Sequence, residues 1–365
     1  MILFLVIIVL LTIVVYAFMQ QPKFGSKPAN ERLGSIQGSA NYRKGQFQNL
    51  SNTPQLTEGA SIAGVLKEFM FGKKPRRRPT QPMPSVKTNL LQLRKEEDVL
   101  VWMGHSAYFM QVDGKSILVD PVLSGHASPL NFTTRSFAGA DIYTTDDIPE
   151  IDFLFISHDH WDHLDYDTIK KLQPKIKTII TGLGTGAHLE RWGFKTAMII
   201  EKDWNESATI ADGFLVTVTP ARHFSGRTFT RNKAIWASFV LQTPAHKIFI
   251  GGDSGYDTHF KTIGNQHGPF DLAILECGQY DKNWKYIHMM PEETVQAAQD
   301  LGAKKLLAVH WGKFALSNHP WDEPITRVHK AALENNMPLV TPMIGEKLNI
   351  NDDAQTFSTW WKEAD

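Results

Sequence analysis

Cysteine is almost missing: Cys277 is the only one in 365 residues. A lone thiol excludes an intramolecular disulfide and any zinc cluster built on cysteine, so a metal site in this chain must use histidine and carboxylate. Cys277 itself reads as a small buried hydrophobe rather than a nucleophile. Net charge is lacking too, with Lys+Arg and Asp+Glu at 38 each. Such a balance gives no general attraction for a polyanion and argues against a nucleic-acid partner. The one dense basic run, Lys73-Lys74-Pro75-Arg76-Arg77-Arg78, lies far in sequence from the candidate metal residues. It reads as a solvated loop or as a contact with anionic headgroups, worth about 1 kcal/mol per charge near the surface. No internal repeat of fixed short period is visible.

Long apolar runs are also scarce, with one exception. Met1 to Met19 is broken only by Thr12 and Tyr16, close to the ~20 residues an α-helix needs to cross a bilayer. A cleavable signal peptide is the competing reading, with Val15-Tyr16-Ala17 as a passable small-residue site. A basic n-region is missing, however, and the run exceeds the ~7–15 residues of a typical h-region. A retained anchor over 1–19 is therefore expected. Lys23, Lys27 and Arg32 follow it, which by the positive-inside rule holds the body on the cytoplasmic side. Residues 20–95 are rich in proline and glycine and read as an extended arm or linker with one short helical piece, 62–71. From 96 to 365 the texture is that of a globular domain, and 42% hydrophobic residues suffice for its core. Short β-type runs come first in meanders, with an Asp113-Gly114 hairpin turn, and later alternate with helices such as the one opening at Pro291. That order predicts stacked mixed sheets with helices outside.

The stretch Ser157-His158-Asp159-His160-Trp161-Asp162-His163-Leu164-Asp165 joins an apolar strand, 151–156, to a helix starting at Tyr166. Three imidazoles and up to three carboxylates thus converge on one turn, and these are the side chains that bind a borderline metal. Polar residues gather in turns anyway, yet three histidines within six residues are hard to obtain by chance. One turn cannot complete two coordination shells, so further donors are expected at later strand ends. His223 follows the strand ending at Pro220, Asp253 follows Lys247 to Gly251, and His310 follows Leu306 to Val309. The glycines around Asp253 let the backbone turn tightly.

His-x-His-x-Asp-His followed by His223, Asp253 and His310 resembles the metallo-β-lactamase superfamily over roughly 95–350. Trp102-Met103-Gly104-His105-Ser106, Gly252-Asp253-Ser254-Gly255-Tyr256 and His310-Trp311-Gly312-Lys313-Phe314 are similar to the branch of N-acylphosphatidylethanolamine-hydrolysing phospholipase D and its bacterial relatives. The resemblance implies an α/β fold, an αβ/βα sandwich with a two-metal site on one edge. It places His158, His160 and His223 on one zinc, Asp162, His163 and His310 on the second, and Asp253 between them. It also places His288 in the active site outside the metal shell. Trp161 and Glu276-Cys277-Gly278-Gln279 depart from the mammalian lipase pattern, which bears on substrate rather than metal chemistry.

Asp162, Asp253 and His288 are accordingly the expected catalytic residues, and two Zn2+ ions the expected cofactors, with manganese or iron compatible with the same donors. His105, Asp120 and Asp165 are candidates to orient ligating imidazoles. Arg222 and Arg227 flank His223 and are candidates for phosphate oxygens or for surface ion pairs. His126, His188, His246, His259, His267, His319 and His329 read as structural. The leading expectation is a membrane-tethered phosphodiesterase acting on phospholipid. A hydrolase of a soluble lactone or phosphorylated small molecule, and a non-catalytic membrane-associated binding protein, are the alternatives.

Overall fold

The computed structural model describes residues 1–72 and 76–364. Helix α1 (Ile2–Met19) opens the chain, and none of its residues is buried. By length and composition it can cross a membrane. The segment after it carries α2 (Asn30–Gly38), a small hairpin of β1 (Tyr42–Arg43) and β2 (Gln46–Phe47), and α3 (Ile62–Phe71). The body then runs through β3 (Val99–Trp102), β4 (Tyr108–Val112), β5 (Lys115–Val119), β6 (Ile151–Ile156), α4 (Tyr166–Leu172), β7 (Ile176–Gly182), α5 (Gly186–Arg191) and β8 (Ile199–Lys202). It continues with β9 (Ser207–Ala211), β10 (Phe214–Thr219), β11 (Ser238–Gln242), β12 (Lys247–Ile250), α6 (His259–His267), β13 (Leu272–Glu276) and α7 (Pro291–Asp300). It closes with β14 (Leu306–Val309), α8 (Glu323–Glu334), β15 (Leu339–Val340) and β16 (Lys347–Asn349).

Two mixed sheets of seven strands result, ordered β16-β3-β4-β5-β6-β7-β8 and β15-β14-β13-β12-β11-β10-β9. In the first, β5 to β8 are parallel and the remaining pairs antiparallel; in the second, β12 to β15 are parallel. Strand alternation explains how both faces of the first sheet are dry. Phe153 and Phe155 of β6 belong to the large core shared with Val218, Phe239 and Phe249 of the second sheet. Leu154 and Ile156, pointing the other way, pack with Ile169 and Leu172 of α4. The β4–β5 hairpin turns at Asp113-Gly114, both at positive φ, as a primed two-residue turn requires. Helix α7 starts with Pro291, and Glu293 accepts a hydrogen bond from Met290 N at 2.8 Å.

Residues 20–95 hold the helix read at 62–71, but they also hold α2 and the hairpin, and much of the segment lies against the sandwich. Phe24, Ile36, Phe47, Met83 and Leu90 are buried. Arg32 bridges Glu190 of α5 and Glu201 of β8 at 2.6 and 2.5 Å. These anchors are single residues in polar surroundings, and so leave no periodic signal in the sequence. Of the basic run, Lys73, Lys74 and Pro75 lie outside the described residues. Arg76 pairs with Asp322, Arg77 donates to Ser317 O and Ala315 O, and Arg78 to Arg135 O and Ser136 O.

Candidate metal centre

Four strand ends and one long turn meet on one edge of the sandwich. The turn 157–165 leaves β6, while His223, Asp253 and His310 follow β10, β12 and β14, and His105 follows β3. Parallel strands carry their ligand-bearing residues to the same end of the sheet, where a crevice opens. The backbone bends sharply there: His105, Asp120 and His310 all have positive φ, uncommon for non-glycine residues. Gly252 is equally constrained, since a Cβ there would meet Ala237 O at 2.6 Å.

The donor atoms fall into overlapping clusters. In the first, His158, His160, His223 and Asp253 place one atom each within 4.8 Å of the others. His158 Nε2 and His223 Nε2 lie 2.9 and 3.2 Å from His160 Nδ1, and each is 3.7 Å from Asp253 Oδ2. The second joins His105, Asp162, His163 and His310. His163 Nε2 is 3.5 Å from Asp162 Oδ2 and 3.1 Å from Asp253 Oδ2, and His310 Nδ1 is 3.2 Å from Asp253 Oδ1. Asp253 therefore stands between the two, and it also forms a third cluster with His288 and His310.

This donor set fits a pair of divalent cations. Burial holds the pKa of His158, His223 and His310 well below the usual imidazole value, keeping them neutral, as metal ligation requires. Burial also opposes charge on His163, yet Asp253, Asp162 and Asp120 raise its pKa well above normal. The pocket therefore demands positive charge at its centre. His163 Nε2 and Asp253 Oδ1 have no hydrogen-bond partner despite burial. Buried polar atoms are rarely left unsatisfied unless an ion or ligand completes them.

Supporting groups fix the rings. His163 Nδ1 is 2.8 Å from Asp120 Oδ2, and Asp120 also accepts from Ser157 N and Oγ. His223 Nδ1 lies 2.8 Å from Ile287 O, which turns Nε2 to the centre. Ser157 Oγ is 3.0 Å from His158 Nδ1, and Ser106 Oγ 2.8 Å from His310 Nδ1. His105 Nε2 sits 2.9 Å from Asp162 Oδ2, so it positions a carboxylate rather than an imidazole.

Three expectations are corrected. Asp165 orients no imidazole: it caps α4, accepting from Asp167 N, and takes further bonds from Ser124 N and Thr168 Oγ1. Arg222 turns away from the clusters to Thr53 Oγ1, Asn52 O and Tyr256 O and lies 3.7 Å from Asp257 Oδ2, so of its two readings the ion pair holds and the phosphate contact does not. Arg227 is buried under the turn, donating to Asp159 O, Leu164 O and Lys23 O. Carbonyls hold the Arg227 guanidinium, and carbonyls, a hydroxyl and Asp257 that of Arg222, and neither lines the cavity beside the clusters. None of the seven histidines read as structural joins a cluster.

Sequence reasoning missed other residues. Glu276 ends β13, buried, with Oε1 3.2 Å from His288 Nδ1. Burial pushes its pKa up to about 7, against the pull of His288. Burial opposes charge on His288, yet Glu276, with Asp253 and Asp162, raises its pKa, so the two groups titrate together. Asn49, from the arm, accepts from His223 N and donates to His223 O at 3.1 and 2.8 Å. Glu276 was marked only as part of the stretch that departs from the lipase pattern, and nothing local marked Asn49. Beside the clusters lies a cavity of about 610 Å3 whose walls include Leu56, Ile62, Phe224, Trp284 and Leu316, with Arg231 the cation that lines it among the described residues.

Fold and donor set together define a metal-dependent hydrolase of the metallo-β-lactamase type, with two mixed sheets and His/Asp clusters able to bind metal on one edge. Residues 115–311 match the model of the β-lactamase superfamily domain, and the chain belongs to that family. An uncharacterised protein of Mycobacterium tuberculosis is 36% identical over 93% of this chain and 91% of its own. The N-acyl-phosphatidylethanolamine-hydrolyzing phospholipase D 1 of Caenorhabditis elegans is 32% identical over 59% of this chain and 64% of its own. Among solved structures, the metallo hydrolase Igni18 of Ignicoccus hospitalis superposes with a TM-score of 0.54 at 20% identity, covering 69% of this chain and 97% of that one.

Proposed function

We propose that the chain is a membrane-tethered binuclear zinc phosphodiesterase of phospholipase D type, releasing N-acylethanolamine from N-acylphosphatidylethanolamine or a similar phospholipid. The observation that carries this reading is the cavity, apolar along Leu56, Ile62, Trp284 and Leu316 and polar where His160, Asp162, His223 and Asp253 reach it. An acylated headgroup ester has the same division of apolar and polar parts. Helix α1, none of whose residues is buried, and the resemblance to the nematode phospholipase support the lipid over a soluble substrate. The following charges Lys23, Lys27 and Arg32 favour a body on the cytoplasmic side.

His158, His160 and His223 would hold one ion, Asp162, His163 and His310 the other, and Asp253 both. Such a pair supplies Lewis-acid charge and a water acidified toward neutrality. The chain's own groups do the rest. Asp120, Ser106 and His105 fix donor orientation, and Arg231 attracts the phosphate. In the reaction the water oxygen joins phosphorus and the bond from phosphorus to the ethanolamine oxygen breaks. The water gives up one proton as its oxygen bonds phosphorus and the leaving oxygen takes one, so the step balances, with His288, backed by Glu276, as the donor to the leaving oxygen. The products are N-acylethanolamine and phosphatidic acid.

The test is to incubate zinc-loaded protein with vesicles containing the N-acylated lipid and, separately, with lactones. Release of N-acylethanolamine is expected, and its loss in His158→Ala. Consumption of lactone without any lipid product would overturn the lipid reading.

A further inference from the structure

The segment that follows α1 grips the two non-ligating residues interleaved with the donors of the turn. Asp159 lies between His158 and His160, and Trp161 between His160 and Asp162. The ring of Phe24 meets Trp161 edge to face, with centroids 5.2 Å apart. The guanidinium of Arg227 lies 4.0 Å from the Trp161 ring centroid and donates to Asp159 O, Leu164 O and Lys23 O, tying turn and segment to one cation. Ser26 N donates to His188 Nδ1 at 3.0 Å. That bond puts the proton of a neutral His188 on Nε2, which faces Asp159 Oδ2 at 3.1 Å. Asp159 Oδ1 accepts from Gly226 N at 2.6 Å. Gly25 lets the backbone come this close: a Cβ would fall 1.8 Å from His188 Nδ1, and its φ is +72°. Arg191 and Trp192 fasten the same stretch through Gly25 O, Gln20 O and Pro22 O.

We propose that Phe24 to Ser26 form a clasp that positions the metal-bearing turn through Trp161 and Asp159, so that the donors of His158, His160 and Asp162 are pre-aligned only while the segment is docked. The proposal rests on the metal reading above. Ligands must be held to within about 0.5 Å by their supporting groups, and loss of such support costs about 10–100-fold in metal affinity. Phe24, Trp161, Asp159 and His188 are positioning residues, and none touches substrate.

The experiment is a zinc competition titration against a chromogenic chelator, on the full chain in detergent. It compares wild type with Phe24→Ala, Trp161→Ala and Asp159→Asn, with thermal unfolding of the metal-free forms alongside. Phe24→Ala and Trp161→Ala are expected to bind zinc about 10–100-fold more weakly, with Phe24→Tyr retaining wild-type affinity. Arg32→Gln removes the ion pairs to α5 and β8 beyond the clasp, while the bonds of Gln20 to Gly25 with Arg191, Trp192 and Arg227 remain, and is expected to leave affinity unchanged. Should Phe24→Ala fail to fold, Phe24→Leu keeps the volume without the ring edge and is read the same way. Folded clasp variants that bind zinc as tightly as wild type would overturn the clasp and leave the metal reading standing. A wild type that binds no divalent ion would overturn both.

Discussion

The two halves of the metal centre are held by different means. The half around His158, His160 and His223 draws on main chain and arm as well as side chains: His223 takes its ring orientation from Ile287 O and its backbone position from the Asn49 side chain, and Ser157 Oγ meets His158 Nδ1. The half around Asp162, His163 and His310 relies on side chains, with Asp120 on His163, His105 on Asp162 and Ser106 on His310. A carbonyl survives mutation, whereas a supporting side chain does not. Every support named for the second half is a side chain of the sandwich body, so single substitutions there should weaken its ion selectively, while Asp253 is the one residue on which both halves depend.

The largest effect is expected at Asp253, which meets His163, His310, His158 and His223 alike. Asp253→Ala should leave no stably bound metal and lower hydrolysis by about 100-fold or more; retention of one ion per chain in metal analysis would show that the halves stand alone. His163→Ala comes next, and should reduce two ions to one, the survivor belonging to the first half. Asp120→Asn keeps volume but weakens the grip on His163 Nδ1, so the second ion alone should bind about tenfold more weakly. Equal weakening of both sites in that titration would break the distinction.

The smallest effect lies outside both halves, at Arg32. Its guanidinium, through direct hydrogen bonding, holds Glu190 below the usual carboxylate range. A depressed folded-state pKa stabilises above the unfolded value and the contribution disappears as pH falls through the folded one. Arm docking by this pair should thus be intact at neutral pH and fade below pH about 4. Because Glu190 is partly exposed, the loss should stay under about 1 kcal/mol. Arg32→Gln should erase that acid-dependent step in denaturant unfolding while zinc affinity holds.

What was legible in the sequence was local. The turn declared itself because three imidazoles fall within six residues, and β6, β10, β12 and β14 because apolar runs ended on His, Asp or a turn. Strand alternation, the Asp113-Gly114 turn and Pro291 at the start of α7 are equally short-range. What was illegible depends on contacts across the chain. Asn49 reaches His223 over 174 residues, and Phe24 reaches Trp161, with no period to reveal either. Arg222 and Arg227 misled for the same reason: adjacency to His223 in sequence says little about where a long side chain finds its carbonyls. Glu276 stood out only as part of a stretch that departs from the lipase pattern, and its place beside His288 depends on burial that no local pattern reveals.

Cys277 sits next to Glu276, fully buried, and burial drives its thiol far from ionisation. A thiol that is neither exposed nor ionised reacts with alkylating reagents only when its surroundings open. As the sole cysteine, it turns the chain into its own clock. The labelling rate under native conditions reads how often the core beneath the metal centre opens, and added zinc should slow that clock if ions lock the edge of the sandwich shut.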